Sequence, residues 1–279
     1  MVAVCYTALE RGTVAGYGPA NDNIQGLTRP PDVDSNEYQK EIRGMTTAWA
    51  LRGEATAVLG ALFDGIGCST GVGGGRGTIR YFPLSRGEGV LRRYQRGGVA
   101  ACVLKDGFFG NRMEREFDVM CSYRRDGGPV PEPLGVCWSR RGGFFRGAIA
   151  TRRIPGQTLL EYLQGVRPAQ ADAVLRKTGV AIRHMHDQGV WHADLQVKNI
   201  LVADNEIWLI DFDNARRAGT LGAVACARNL LRLRRSFEKH GLALDNFATL
   251  LAGYGALAIP KWLDWAYRVR SARDRLKTR

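Results

Sequence analysis

The sequence predicts an α+β chain in two lobes, a small antiparallel β-rich lobe followed by a mainly helical one, and three observations carry that expectation. Short extended runs broken by Gly and Pro fill much of residues 71–155, and helical apolar periodicity dominates from residue 156 onward. Within the second part lie two short β runs flanked by a spaced set of His, Asp and Asn. The chain has 279 residues, 45% hydrophobic and 24% charged, enough to bury the core of one large or two modest domains.

Residues 1–70 read as an N-terminal extension whose organisation the pattern leaves open. NDNIQG, TRPPDVDSN and repeated Gly interrupt every period, and only Met45–Phe63 has helical spacing. The predicted β-rich lobe, 71–155, begins GVGGGRGTIRYFPLSRGEGVLRRYQRGG, a glycine cluster followed by two extended runs about a Gly-Glu-Gly turn. Next, RMEREFDVMCSYRR (Arg112–Arg125) brings Met113, Phe117, Met120 and Cys121 to one helical face, with Glu114 and Glu116 near the positive end of the macrodipole. Pro129, Pro131 and Pro133 enforce extended backbone ahead of a predicted strand over Phe144–Ile154, which stops at Pro155-Gly156.

The predicted helical lobe, 156–279, opens with Leu159–Leu163 and continues with Ala169–Gln188. There Val174, Leu175, Ala181, Ile182 and Met185 form the apolar stripe and Gly189 the stop. Ile200–Val202 and Ile207–Ile210 should pair as an antiparallel hairpin about the turn-forming segment 203–206. Helical patterns recur over Val224–Lys239, Asp245–Ala258 and Lys261–Lys277.

Composition narrows the function classes. Lys and Arg number 40 against 27 Asp and Glu, a net charge of +13 that favours anionic partners. Nucleic acid is not expected among them, because no aromatic and basic interleaving of an RNA-binding kind and no DNA-reading module is present. The six cysteines are scattered without a CxxC pair and only four His could complete a metal set, which argues against zinc and against a disulfide framework. Neither a secretory signal nor a transmembrane helix is expected, since the apolar stretches are short or interrupted by charge.

The chemistry concentrates in HMHDQGVWHADLQVKNILVADNEIWLIDFDNARR, residues 184–217. Asn199 immediately precedes the outgoing hairpin strand and Asp211 follows the returning one, so both fall at the open end and can offer oxygens to one divalent cation. Magnesium suits such a pair, because it takes hard oxygen ligands and accepts phosphate and water for the rest. Asp194, five residues before Asn199, is positioned to take a proton from an attacking hydroxyl. His192 should pack beneath the loop and fix it without transferring a proton. A plainer employment for Asp194, Asn199 and Asp211 is as turn and cap residues.

Upstream, Gly74, Gly75 and Gly77 could cover phosphates with backbone amides, or simply connect. Arg92 and Arg93 stand on opposite faces of a strand, and Arg92 is the choice for a phosphate-binding cation. Glu116 can reach back to hold that cation, with Glu114 as its rival.

Taken together, GRG (75–77), VLRRYQRGG (90–98), REF (115–117), HADLQVKNIL (192–201) and WLIDFD (208–213) resemble the lipopolysaccharide kinases of Gram-negative bacteria, in particular the 3-deoxy-D-manno-octulosonic acid (Kdo) kinases. The resemblance covers residues 71–240 and implies a two-lobed protein-kinase-like fold. It implies ATP and Mg²⁺ as cofactors and phosphorylation of the Kdo sugar of a lipid A precursor, at the 4-hydroxyl. By the same resemblance Asp194 is the base, Asn199 and Asp211 the metal ligands, Arg92 the phosphate cation and Glu116 its partner. It also implies peripheral attachment to the anionic cytoplasmic face of the inner membrane, for which Arg228, Arg232, Arg234, Arg235 and the basic C-terminus are candidates. Two departures stand out: Gln196 where protein kinases usually carry Lys, and DFD in place of DFG. The competing readings are a heptose kinase, a protein kinase, and a non-catalytic nucleotide-binding scaffold at the membrane.

Overall fold

The structure, a computed structural model, describes residues 36–70, 79–94, 111–141, 144–166 and 168–257. Its first layer is a seven-stranded antiparallel sheet. The strands are β1 (Tyr38–Arg43), β2 (Thr46–Leu51), β3 (Ser69–Thr70), β4 (Ile79–Pro83), β5 (Glu88–Arg93), β6 (Pro133–Arg141) and β7 (Phe144–Arg152), in the spatial order β1-β2-β6-β7-β5-β4-β3.

Helix α1 (Ala55–Leu59), prolonged by one π turn over Gly60–Asp64, covers one face of this sheet. Val58, Leu59 and Leu62 pack there with Ala48, Ala50, Phe82, Leu91 and Leu134. Helix α2 (Arg112–Arg125) covers the opposite face with Met113, Phe117 and Met120, against Trp49, Val136 and Ile149. Tyr38 ties β1 to β6 and α2, its hydroxyl donating to the Pro133 carbonyl at 2.6 Å and its ring set edge-on to Phe117.

The sheet therefore begins well inside the segment read as an extension, and Thr46–Leu51 is a strand where helical spacing was expected. Trp49 is buried under α2 while Ala48 and Ala50 are buried under α1. A strand covered on both faces loses polar alternation and looks, in one dimension, like a helix. The hairpin β1–β2 turns at Gly44, whose φ of +58° suits a residue without a side chain. In the β4–β5 hairpin the turn comes earlier than the Gly-Glu-Gly string, since Glu88 and Gly89 already belong to β5. The predicted helix Lys261–Lys277 lies outside the described residues.

The second layer is helical: α3 (Leu159–Gly165), α4 (Pro168–Asp187), α5 (Ala223–Lys239) and α6 (Leu244–Tyr254). Thr158 and Glu161 form a capping box at the start of α3, satisfying backbone donors that would otherwise be orphaned. Gly189, at φ +71°, ends the α4 segment as its position suggested. Helices α4 and α6 approach closely at Gly179 and Gly253, where any Cβ would fall 2.1–2.2 Å from the carbonyl oxygens of Leu250 and Arg176. Between α4 and α5 run β9 (Val190–Trp191), β10 (Ile200–Ala203), β11 (Glu206–Leu209) and β12 (Arg216–Arg217). β10 also pairs with β8 (Gln157–Thr158). The predicted hairpin is β10–β11, in the register Ile200↔Leu209, with Asp204 and Asn205 both at positive φ in a two-residue loop of the type that matches strand twist.

Candidate active site

The hairpin brings the polar set together. Its open end is closed by the Ile210 N–H donating to the Asn199 carbonyl at 3.0 Å, so Asn199 and Asp211 leave adjacent backbone positions. Asn199 ends a 3-10 turn over Val197–Asn199, and its Nδ2 donates to the Asp194 carbonyl at 2.9 Å. That bond locks the loop carrying Asp194 and leaves Asn199 Oδ1 as the acceptor face of the amide.

His192 is fully buried and joins the two chain segments. Its Nε2–H donates to the Ile210 carbonyl at 3.0 Å, and its Nδ1 accepts from the Asp194 N–H at 3.2 Å, which fixes a neutral tautomer. Burial lowers its pKa, so this role does not require a charge. The ring packs on Phe212 at 4.9 Å, and the next step along the chain is the site.

Strand alternation sends Leu91 under α1 and both Arg92 and Tyr94 towards α2. Arg92 Nη2 donates to Glu116 Oε1, the Tyr94 hydroxyl donates to Glu116 Oε2, and Arg92 Nη1 stands 3.2 Å from Asp211 Oδ1. Glu116 is 2% exposed. Burial disfavours the Arg92 cation, but the Glu116 carboxylate outweighs it and raises the guanidinium pKa above its usual value. Glu114 is occupied elsewhere, exchanging bonds with the helix-capping Asn111, and Arg93 is exposed on the other face. Arg92 and not Arg93 thus faces the Asp211 side of the sheet, and Glu116 and not Glu114 is its partner.

Asp194 is half-exposed and engaged at both oxygens. Gln196 Nε2 donates to Oδ2 at 2.6 Å and Arg232 Nη1, from α5, to Oδ1 at 3.1 Å. Asp213 receives a two-pronged contact from Arg112 at the start of α2. Behind the loop, buried Asn229 of α5 accepts from the His192 N–H at 3.2 Å and donates to the His192 carbonyl at 2.8 Å.

The residues fit a divalent cation by one observation in particular: Asp211 Oδ1 is buried and accepts no hydrogen bond. A buried carboxylate oxygen without a hydrogen bond is costly unless cations face it, and Arg92 Nη1 at 3.2 Å meets only part of that demand. No cluster of three His, Cys, Asp or Glu with metal-ligand geometry occurs among the described residues. Two protein oxygens suffice for magnesium when phosphates complete the shell.

Of the residues expected at the site, Asp194, Asn199 and Asp211 converge, and Arg92 and Glu116 join them through the Arg92–Asp211 contact. Gly74, Gly75 and Gly77 lie outside the described residues. The sequence reading missed Tyr94, Arg112, Asp213 and Asn229. Tyr94 was recoverable, being two positions beyond Arg92 on the same strand face, and Asn229 too, as an amide inside the apolar stripe of α5.

Comparison with known proteins adds four findings. The model of the Lipopolysaccharide kinase (Kdo/WaaP) family matches residues 70–254. A 3-deoxy-D-manno-octulosonic acid kinase of Vibrio cholerae is 34% identical over 171 residues, covering 59% of this chain and 72% of that protein. Another from Xylella fastidiosa is 38% identical over 175 residues, covering 60% and 68%. In fold, the solved structure of WaaP in complex with acyl carrier protein is similar with a TM-score of 0.54 at 14% identity, over 79% of this chain and 90% of that one.

Proposed function

Because the chain belongs to the lipopolysaccharide kinase (Kdo/WaaP) family, whose members are ATP-dependent kinases of protein-kinase-like fold, we propose that it phosphorylates the Kdo sugar of a lipid A precursor in lipopolysaccharide core biosynthesis, at the 4-hydroxyl. The observation that carries the reading is the convergence of Asp194, Asn199 and Asp211 beside the Arg92–Glu116 pair.

In this reading Asp194 orients the acceptor hydroxyl and takes its proton as the new O–P bond forms and the bond from the γ-phosphorus to the bridging oxygen breaks, releasing ADP. Arg92, held by Glu116 and Tyr94, steadies phosphate oxygens of the nucleotide. A magnesium ion held by Asn199 and Asp211 would neutralise phosphate charge when bound. His192 and Asn229 keep the loop rigid, so that little reorganisation is needed at the moment of transfer.

The acceptor is a lipid, and the net charge of +13 supports peripheral attachment to the anionic cytoplasmic face of the Gram-negative inner membrane. No described helix is long and apolar enough to cross a membrane. Of the candidate cations on α5, Arg234 lies 3.5 Å from Glu238 and Arg232 faces Asp194, whereas Arg228 is exposed.

Incubation with labelled ATP and Mg²⁺, offering Kdo-lipid A precursor, heptosylated core and a peptide in parallel, tests the reading. Mass spectrometry should find the phosphate on the 4-position of Kdo. Labelling of heptose or peptide in preference to Kdo would overturn it.

A further inference from the structure

Arg232 reaches Asp194 from another element, 38 residues along the chain, and Asp194 is its one polar partner among the described residues. The two side chains are 51% and 48% exposed. An ion pair that open to water is weak, so it exchanges readily for a better partner. Gln196, by contrast, comes from the same loop and can keep its 2.6 Å bond to Oδ2 throughout.

An acceptor hydroxyl must reach an oxygen of Asp194, and Oδ1 is the one held only by this weak pair. Its arrival leaves a guanidinium beside the reacting group with no carboxylate opposite. The acceptor in the proposed function is an acid, and glycosidic linkage through its anomeric carbon leaves the carboxylate free and ionised at neutral pH. Hydroxyl and carboxylate on one sugar ring match a carboxylate and a guanidinium held in contact on the protein. We propose that Arg232 binds the carboxylate of the acceptor sugar, trading Asp194 for it as the hydroxyl docks, and so selects an acidic sugar over a neutral one. This rests on the Kdo reading of the function.

Several features agree. An arginine fork suits a carboxylate through two parallel hydrogen bonds, where a lysine would offer a point charge. Arg228 lies one helical turn earlier on the same face of α5 and is exposed, so the approach to Asp194 is positively charged. A neutral sugar would displace Arg232 without replacing its partner, which penalises the wrong acceptor.

The test compares the parent and Arg232→Gln on two soluble acceptors, a Kdo glycoside and the same glycoside with its carboxylate converted to the amide. For the acid, Arg232→Gln should raise KM by about 10- to 100-fold, the range of one charge-assisted contact, with the KM for ATP unchanged. The parent should lose a similar factor on the amide, and the variant should no longer tell acid from amide. Arg232→Lys should recover part of the acid preference. If Arg232→Gln keeps the parent's preference for the acid, or loses only kcat equally on both acceptors, the proposal is overturned while the Kdo reading stands. If the parent transfers phosphate to neither but does so to heptosylated core, the functional reading fails and takes this proposal with it.

Discussion

At Asp211 the backbone adopts φ +63°, a left-handed conformation that costs a non-glycine residue about 1–2 kcal/mol. The neighbours hold it there: Arg92 faces the carboxylate and Phe212, the next residue, is fully buried. Asn tolerates the same backbone, so Asp211→Asn isolates the charge. That variant should fold as the parent does yet bind ATP about tenfold more weakly or worse in the presence of Mg²⁺, with little change in its absence. Titration calorimetry with and without Mg²⁺ checks this, and parental affinity for the magnesium complex would remove Asp211 from the ligand set. Asp194→Ala should behave oppositely. It should lower kcat by about 10² to 10⁴ while nucleotide affinity stays near the parental value, because the carboxylate acts on the acceptor side. Steady-state kinetics paired with nucleotide binding separates the two.

Among the elements, three helices meet in one buried polar chain. The Tyr254 hydroxyl of α6 donates to His186 Nδ1 of α4 at 2.9 Å, and His186 Nε2 lies 3.2 Å from Asn229 Oδ1 of α5, the same amide that brackets His192. Desolvation lowers the His186 pKa to about 4 against 6.5 for an open imidazole. Between those values the unfolded chain binds the extra proton, so this contribution is whole above pH 6.5 and is lost as pH falls towards 4, by roughly 3 kcal/mol in all. Urea unfolding of the parent and His186→Gln at several pH values should show a steeper loss for the parent across that window, and parallel curves would refute it. The legibility of these elements in the sequence followed their local content. Arg112–Arg125 and the β10–β11 hairpin were read to within a residue or so, because a capped amphipathic run and a turn-forming AspAsn pair are short-range signals. β1 and β2 were not, since what makes them strands is pairing of β2 with β6 and cover from α2, elements far from them in sequence. Arg232 was invisible as a site residue, because its partner Asp194 lies 38 positions away.

Over the whole molecule, the net charge of +13 bears on the proposed attachment to a lipid surface. Binding to vesicles containing anionic lipid should weaken steeply between low salt and about 0.5 M salt, as surface charges are screened, and uncharged vesicles should bind little at any salt. Sedimentation with vesicles reads this directly, and salt-independent binding would point to apolar insertion instead. The kinase-like division into sheet and helical parts was visible in the change of period after Pro155, whereas the extent of the sheet was not, because its edge strands Tyr38–Arg43 and Thr46–Leu51 come from the stretch with the weakest pattern. Among the contacts that span the two parts, one engages Asp213. Arg112 grips Asp213, the residue by which DFD departs from DFG. The segment beyond Asp211 is thus tied to α2 from within its own chain. If that tie is enough to hold the segment in working order, a progress curve begun with newly refolded protein should rise in a straight line from the first seconds, and a lag would speak against it.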